Sequence, residues 1–215
     1  MPNDLAVIVP TLNAAAYLPA TLAALGDVGE IIVVDGGSTD DTIDVAWKAR
    51  ILTASKGRGS QLAAGIQAAT HPWLLLLHAD TTLAPGWRAA LHTDPGKAGY
   101  FRFALDSADP RARRLERLVA WRCRVLGLPY GDQGLLIHKD LLASVGGMSN
   151  LPLMEDVDLI RRLGRRRLVA LPAAATTSAA KWERQGYLRR SARNLGCLAL
   201  WFAGVPVPWI RRLYG

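Results

Sequence analysis

The sequence predicts an α/β fold in which a mainly parallel sheet carries helices on both faces. Three observations point there. Over the first hundred residues, strand-like and helix-like stretches alternate in the order βαβαβαβ. Residues 30–34 and 73–77 are nearly unbroken apolar runs of strand length, as strands buried on both faces are. The first of these runs ends on Asp35 and turns at Gly36-Gly37, so a carboxylate stands at the C-terminal end of a strand, where open α/β sheets bind ligands. The same turn also reads as a plain strand-to-helix connection with a capping Asp.

Taken in order, residues 5–10 form a first strand that ends on Pro10, a residue tolerated at strand ends. Residues 14–25 have helical spacing. Residues 30–35 are the second strand and 39–48 the second helix, for which Ser38-Thr-Asp40 offers caps. A short third strand covers 50–54, an Ala-rich helix 60–69, and the next strand 73–77. Right-handed crossovers follow. The second half is less regular. Residues 100–105 alternate as a strand, 111–126 form a basic amphipathic helix, 134–138 a strand and 139–145 a helix. Residues 155–163 form a helix whose acidic opening suits the positive end of its dipole. A strand follows at 167–171, and the tail from Lys181 is basic, then apolar.

The chain has 215 residues, which fits one domain, and 50% hydrophobic with 20% charged residues suits a folded core rather than disorder. Its net charge of +8 comes from arginine clusters at 111–124, 161–167 and 184–193. Such clusters are either solvated faces or the footprint of an anionic partner. Cys123 and Cys197 show no metal spacing and read as reduced core thiols of a cytoplasmic protein. The N-terminus lacks the layout of a signal peptide. No stretch reaches the roughly 18 apolar residues of a spanning helix; residues 198–210 come nearest, interrupted by Pro206 and Pro208.

Four motifs could carry chemistry. Pro10-Thr-Leu-Asn13 lies at the carboxyl end of the first strand, where Thr11 and Asn13 can bond a base or ribose, or Asn13 can cap the next helix. Lys56-Gly-Arg-Gly-Ser-Gln is a basic, glycine-rich helix entry whose backbone N–H groups and Arg58 favour an anion such as a diphosphate. It is neither a dinucleotide fingerprint nor a Walker A loop. His78-Ala-Asp80 ends an apolar strand with two ligand-type side chains on one side. A carboxylate there, together with substrate phosphates, is a usual magnesium or manganese arrangement. Met154-Glu-Asp-Val-Asp puts three carboxylates at a helix start, where one of Glu155 and Asp156 could be a general base; Asp158 falls about 200° round the helix from Asp156.

In this order the motifs resemble the inverting family-2 glycosyltransferases of GT-A fold, a Rossmann-like architecture, over roughly residues 5–165. The subgroup with His-Ala-Asp, Gly131-Asp-Gln-Gly134 and a Lys181-Trp182 pair, the selenodomain-associated transferases, is the most similar. The resemblance implies a single domain with a nucleotide-binding half at about 1–105, an acceptor side at about 106–180 and a tail at about 181–215. It implies a nucleotide-sugar donor, usually UDP-linked, and direct displacement at the anomeric carbon. Asp35 would contact the base. Pro10, Thr11, Asn13, Gly57, Arg58 and Ala79 would line the nucleotide. Asp80, with His78 in place of the motif's first Asp, would hold Mn²⁺ or Mg²⁺. Asp156 would be the base, beside Glu155. Gly131, Asp132, Gln133 and Trp182 would face an acceptor that is small or lipid-linked, unless Trp182 packs in the core. The Gln-x-x-Arg-Trp motif of long processive synthases is absent, which favours single transfer over polymerisation.

Rival readings are a nucleotidyltransferase that makes nucleotide-sugars, which would want a glycine-rich loop where Pro10–Asn13 stands, and a non-catalytic binder of nucleotide-sugars or anionic surfaces. The basic runs lack a nucleic-acid recognition motif, so no nucleic-acid partner is expected. Arg189, Arg190, Arg193, Arg211 and Arg212, flanking an apolar stretch with Trp201 and Trp209, suit a peripheral site on an anionic membrane surface or a helix packed on the core.

Overall fold

The computed structural model describes residues 4–214. Strand β1 (Leu5–Thr11) lies at the centre of one half of the sheet and pairs in parallel with β2 (Glu30–Asp35) and β4 (Trp73–Leu76); β3 (Arg50–Thr53) extends β2 in parallel. Alternation along β1 sends Leu5, Val7 and Val9 into one core and Ala6 and Ile8 into the other. Helix α1 (Leu18–Leu25) covers the first face with Leu18, Leu22 and Leu25, where Trp87 and Phe101 also pack. Helices α2 (Arg58–Ala68), α4 (Lys139–Ser144) and α5 (Glu155–Leu163) cover the second. Helices on both faces and parallel strands agree with the expected class.

The second half is mixed. Strand β7 (Leu135–His138) pairs antiparallel with both β4 and β6 (Ala98–Leu105). β6 runs parallel to β8 (Leu168–Thr177), and β5 (Thr81–Leu83) closes the edge antiparallel to β8. Among the described residues the strand order is β3-β2-β1-β4-β7-β6-β8-β5. The long helix α3 (Pro110–Leu126) is capped by Asp109, whose side chain accepts from Arg111 N, and by left-handed Gly127. The chain ends in α6 (Ala180–Gln185), α7 (Tyr187–Phe202) and α8 (Val207–Tyr214).

Several expected elements shift, each for a local reason. The second helix over 39–48 is only a short 3₁₀ turn at Asp44–Ala46. Asp40 spends its carboxylate on the Thr42 amide and hydroxyl and on Ala15 N, and Thr42 Oγ1 accepts from Ala14 N at 2.7 Å. Side chains that bind nearby backbone compete with a helix. α1 starts at Leu18 rather than 14, because Asn13 is left-handed (φ 51°) and Pro19 sits in the first turn. Asn13 therefore does not cap it. β8 continues six residues past the expected strand end at 171, and β5 is too short to leave a period in the sequence.

Two close approaches set the site. Helix α2 lies on β1 because Gly65 has no side chain there; a Cβ would stand 2.4 Å from Ile8 Cγ2. Its Gln61 amide donates to Thr11 O at 2.7 Å and Val34 O at 2.8 Å, which ties the carboxyl ends of β1 and β2 together. A Cβ on Gly59 would meet the carbonyls of Ser149 and Leu151 at 2.5 Å, so the 149–154 loop rests directly on the α2 N-terminus.

Cys123 and Cys197 are free and buried in separate clusters. Several arginines of the basic clusters serve the fold: Arg162 donates to Val145 O and Gly147 O, and Arg165 to Arg124 O and Val125 O. Among the described residues no helix is long and apolar enough to cross a membrane. Trp201 is turned into a ring and cation contact with Phe202 and Arg161, so of the two tail tryptophans only Trp209 is well exposed, at 61%.

Candidate functional site

The parallel strands deliver their carboxyl ends to one crevice. There Asp35 is buried and its carboxylate is held by its own turn. Oδ2 accepts from Gly37 N and Ser38 N at 2.8 Å each, and Oδ1 from Ser38 Oγ at 2.5 Å and Thr11 Oγ1 at 3.3 Å. Burial raises its pKa, but these bonds outweigh that and hold it below the ordinary value. Asn13 binds the same loop, accepting from Thr39 N at 2.8 Å while its own amide donates to Ser38 Oγ. Thr11 and Pro10 are buried beside Asp35 at the carboxyl end of β1. Asp35→Ala removes the acceptor of the Gly37 and Ser38 amides and the Ser38 hydroxyl in a part-buried turn, and a lost hydrogen bond of this kind costs about 0.5–1.5 kcal/mol. The variant is expected to melt earlier and to bind nucleotide more weakly; an unchanged melting temperature by calorimetry contradicts this role in the turn.

The second group sits where α2, β4 and α5 meet. Arg58 Nε pairs with Glu155 Oε1 at 2.8 Å, and its Nη1 lies 3.3 Å from His78 Nε2. Guanidinium only donates, so Nε2 accepts and the His78 proton sits on Nδ1. Burial and the Arg58 charge push the His78 pKa down to about 4, leaving it neutral. His78 thus contacts Arg58 through Nε2, two residues before Asp80. Gly57, at a positive φ of 146° that suits glycine, opens α2 and presents Arg58 to the cluster.

Glu155 and Asp156, adjacent at the α5 start, have opposite environments. Burial and the neighbouring Asp156 charge push the Glu155 pKa up to about 7 against the pull of Arg58. Asp156 stays well ionised. Burial opposes its charge, yet Arg58 and the N–H of Gly131, 2.9 Å from Oδ2, outweigh it, helped by Val157 N at 2.8 Å from Oδ1. Met154, left-handed at φ 66°, turns the chain so that both carboxylates face inward. Gly131 allows the close approach, since a Cβ would stand 2.6 Å from His78 Nε2 and 3.1 Å from Asp156 Oδ2. His78, Tyr130, Gly131, Glu155 and Asp156 line one cavity with an apolar floor that includes Leu62 and Leu76.

Asp80 lies partly exposed at the crevice mouth, with Lys181 Nζ 3.9 Å from its Oδ2. Asp132 Oδ1 is buried without a hydrogen-bond partner, and burial, with Asp156 and Asp80 adding to it against Arg122 and Arg58, raises its pKa. Hard carboxylate oxygens of this kind fit a divalent cation. Among the described residues no three His, Cys, Asp or Glu side chains converge to hold an ion by themselves.

Three expected positions are spent on structure. Gln133 is buried; its Nε2 donates to Phe101 O at 2.9 Å while Oε1 accepts from Tyr130 N and Cys123 Sγ. Trp182 stacks on Tyr187, with ring centroids 6.1 Å apart, and Arg190 covers it at 4.9 Å, so its face is not open to a sugar. Ala79 contributes only its backbone, accepting from Thr21 Oγ1 at 2.7 Å. Asp158 faces away, paired with Arg162 at 2.8 Å. Sequence reasoning passed over Tyr130, which lies 3.8 Å from the Arg122 guanidinium and beside Asp156, its phenol pushed up to about 12 by burial. Its place next to Gly131 was the available signal. Gln61, the clamp of β1 and β2, was also passed over; a buried amide on an apolar helix face marks it.

Residues 6–92 match the family described as Glycosyl transferase family 2. A PGL/p-HBAD biosynthesis glycosyltransferase of Mycobacterium bovis is 40% identical over 91 residues, 36% of this chain and 35% of that protein. An uncharacterized glycosyltransferase of Mycobacterium tuberculosis is 40% identical over 83 residues, 37% of this chain and 38% of that protein. The matched segments thus span little more than a third of these relatives' length. Among solved structures, glucosyl-3-phosphoglycerate synthase from Mycobacterium tuberculosis, in complex with Mn²⁺, UDP and glucosyl-3-phosphoglycerate, aligns with a TM-score of 0.54 at 20% identity, covering 81% of this chain and 70% of that one. S. aureus TarS aligns with a TM-score of 0.62 at 18% identity, covering 88% of this chain and 39% of that one. The fold is that of the GT-A glycosyltransferases, and residues 6–92 carry the family 2 pattern on it.

Proposed function

We propose that the chain is a glycosyltransferase that moves a sugar from a UDP-linked donor to an acceptor hydroxyl with inversion. The observation that carries this reading is the split between Glu155 and Asp156. Arg58 occupies the Glu155 carboxylate at 2.8 Å, whereas Asp156 is kept ionised by the nearby Arg58 charge and backbone N–H groups and faces the cavity. A general base needs an available, charged oxygen within reach of the proton it takes. Asp156 has that role; Glu155 and His78 position Arg58, whose charge suits the donor's diphosphate. The family match over residues 6–92 and the UDP complexes of the aligned synthase support the donor class.

Asp80, with Asp132 behind it, would hold a divalent ion, Mn²⁺ or Mg²⁺. Such an ion would neutralise charge on the leaving diphosphate. Asp35, Asn13 and the 36–42 turn shape the base pocket, and the donor side takes the residues up to about 105. The acceptor side draws on Gly131, Tyr130 and the 149–154 loop, with the tail from 181 as a further support. The finer likeness to selenodomain-associated transferases gains support from the approach of Lys181 to Asp80, since one belongs to the subgroup's Lys-Trp pair and the other to its His-Ala-Asp motif.

A thermal-shift panel tests the reading. A ligand of the native state raises the melting temperature by mass action. UDP with Mn²⁺ is expected to raise it more than UDP alone and more than GDP. Equal shifts for UDP and GDP contradict a uracil-linked donor.

A further inference from the structure

The C-terminal helices α7 and α8 pack against the loop that leads into α5 and its two acidic residues. Leu153, Met154 and Val157 share one cluster with Cys197 and with Ile210, which is fully buried. Pro152 of that loop joins two regions. Its Cα lies 3.8 Å from where a Gly57 Cβ would stand, at the Arg58 end of α2, and it lines a groove with Pro208, Arg211 and Arg212. Pro152 thus stands between the α2 entry and the groove on α8.

Its chemistry is cationic and its rim is apolar. Residues 186–214 hold Arg189, Arg190, Arg193, Arg211 and Arg212 and contain no Asp or Glu. Arg212 lies 5.0 Å from the Trp209 ring, which is 61% exposed, and Leu213 is 60% exposed beside it. α8 has its inward anchor in Ile210 and offers Trp and Leu outward next to two guanidiniums. A short helix of this kind lies in a lipid interface rather than spanning it.

Resting on the glycosyl-transfer reading, we propose that the groove of Pro152, Pro208, Arg211 and Arg212 holds the phosphate of a lipid-borne acceptor. α8 then lies on an anionic membrane surface and the acceptor's hydroxyl side faces the 152–156 segment. Guanidinium pairs suit phosphate oxygens, and the exposed Trp209 and Leu213 give the lipid chains an apolar neighbour.

Flotation of the full chain with vesicles tests this. The parent protein is expected to bind phosphatidylglycerol vesicles at low salt, to release at high salt, and to ignore phosphatidylcholine vesicles. The exposed pair Arg211→Gln with Arg212→Gln should weaken vesicle binding about 30-fold, from roughly a fivefold contribution per arginine near such a surface. Trp209→Ser with Leu213→Ser should weaken it as well. Both pairs should keep the parent's melting temperature and its UDP affinity. Unchanged vesicle binding in the arginine pair overturns the proposal. So does tight binding of free glycerol 3-phosphate, lost in the arginine pair, by a parent that does not float; the groove then serves a soluble phosphate. Failure of the parent to bind UDP would instead count against the glycosyl-transfer reading and leave the vesicle result standing.

Discussion

Asp156→Asn is expected to lower turnover about 10²–10⁴-fold, the usual loss when a positioned general base is removed. The amide nearly keeps the carboxylate's shape, and the Gly131 N–H can still bond its oxygen. Donor affinity should therefore stay close to the parent's, because the Arg58–Glu155 pair and the Asp80 side of the crevice are untouched. The pH profile adds a check. Asp156 is ionised well below neutrality, held there by Arg58 and backbone N–H groups against burial, so the parent's acidic limb should lie below the ordinary carboxylate range unless Glu155 controls it. A limb near 7, the value to which burial and Asp156 push Glu155, would transfer the base role to Glu155. Full activity in Asp156→Asn removes the role altogether.

Asp80→Ala is expected to fold and to lose the Mn²⁺-dependent gain in UDP affinity. Outer-shell partners of a metal already cost about 10–100-fold when removed, and a direct oxygen ligand should cost at least as much. Asp80 is partly exposed and its main-chain carbonyl, which accepts from Ser178 N at 3.2 Å, survives the change, so the fold has little to lose. Titration calorimetry of UDP with and without Mn²⁺ separates metal-linked binding from the rest. A gain equal to the parent's would move the ion to other residues. Asp132 is the next candidate, since its Oδ1 is buried and unpartnered.

Much of this site was legible in the sequence because its elements obey local rules. The parallel strands announce themselves as apolar runs, and α5 begins and ends where its acidic start and Gly164 say it should. Arg58, His78, Glu155 and Asp156 converge because α2 and α5 begin where the interior strand β4 finishes, at the carboxyl end of the parallel strands. What the sequence hid depends on partners far along the chain. Nothing local says that His78 meets Arg58, or that Gln133 turns inward to Phe101. Trp182 looked equally suited to a sugar and to the core until Tyr187 and Arg190 occupied its surroundings. The missing helix over 39–48 is a contest between backbone and side-chain bonds, which Asp40 and Thr42 decide by reaching back to the 13–15 loop.

The most direct test of the central claim follows the fate of an α-linked UDP-sugar with Mg²⁺ and the parent protein, water serving as the slow acceptor. An ionised Asp156 that activates an oxygen nucleophile against the anomeric carbon predicts release of UDP together with the β-anomer of the free sugar, seen by proton NMR before mutarotation. It also predicts that Asp156→Asn abolishes this release. An α-configured first product, cleavage to UMP and a sugar phosphate, or equal release by Asp156→Asn would contradict it.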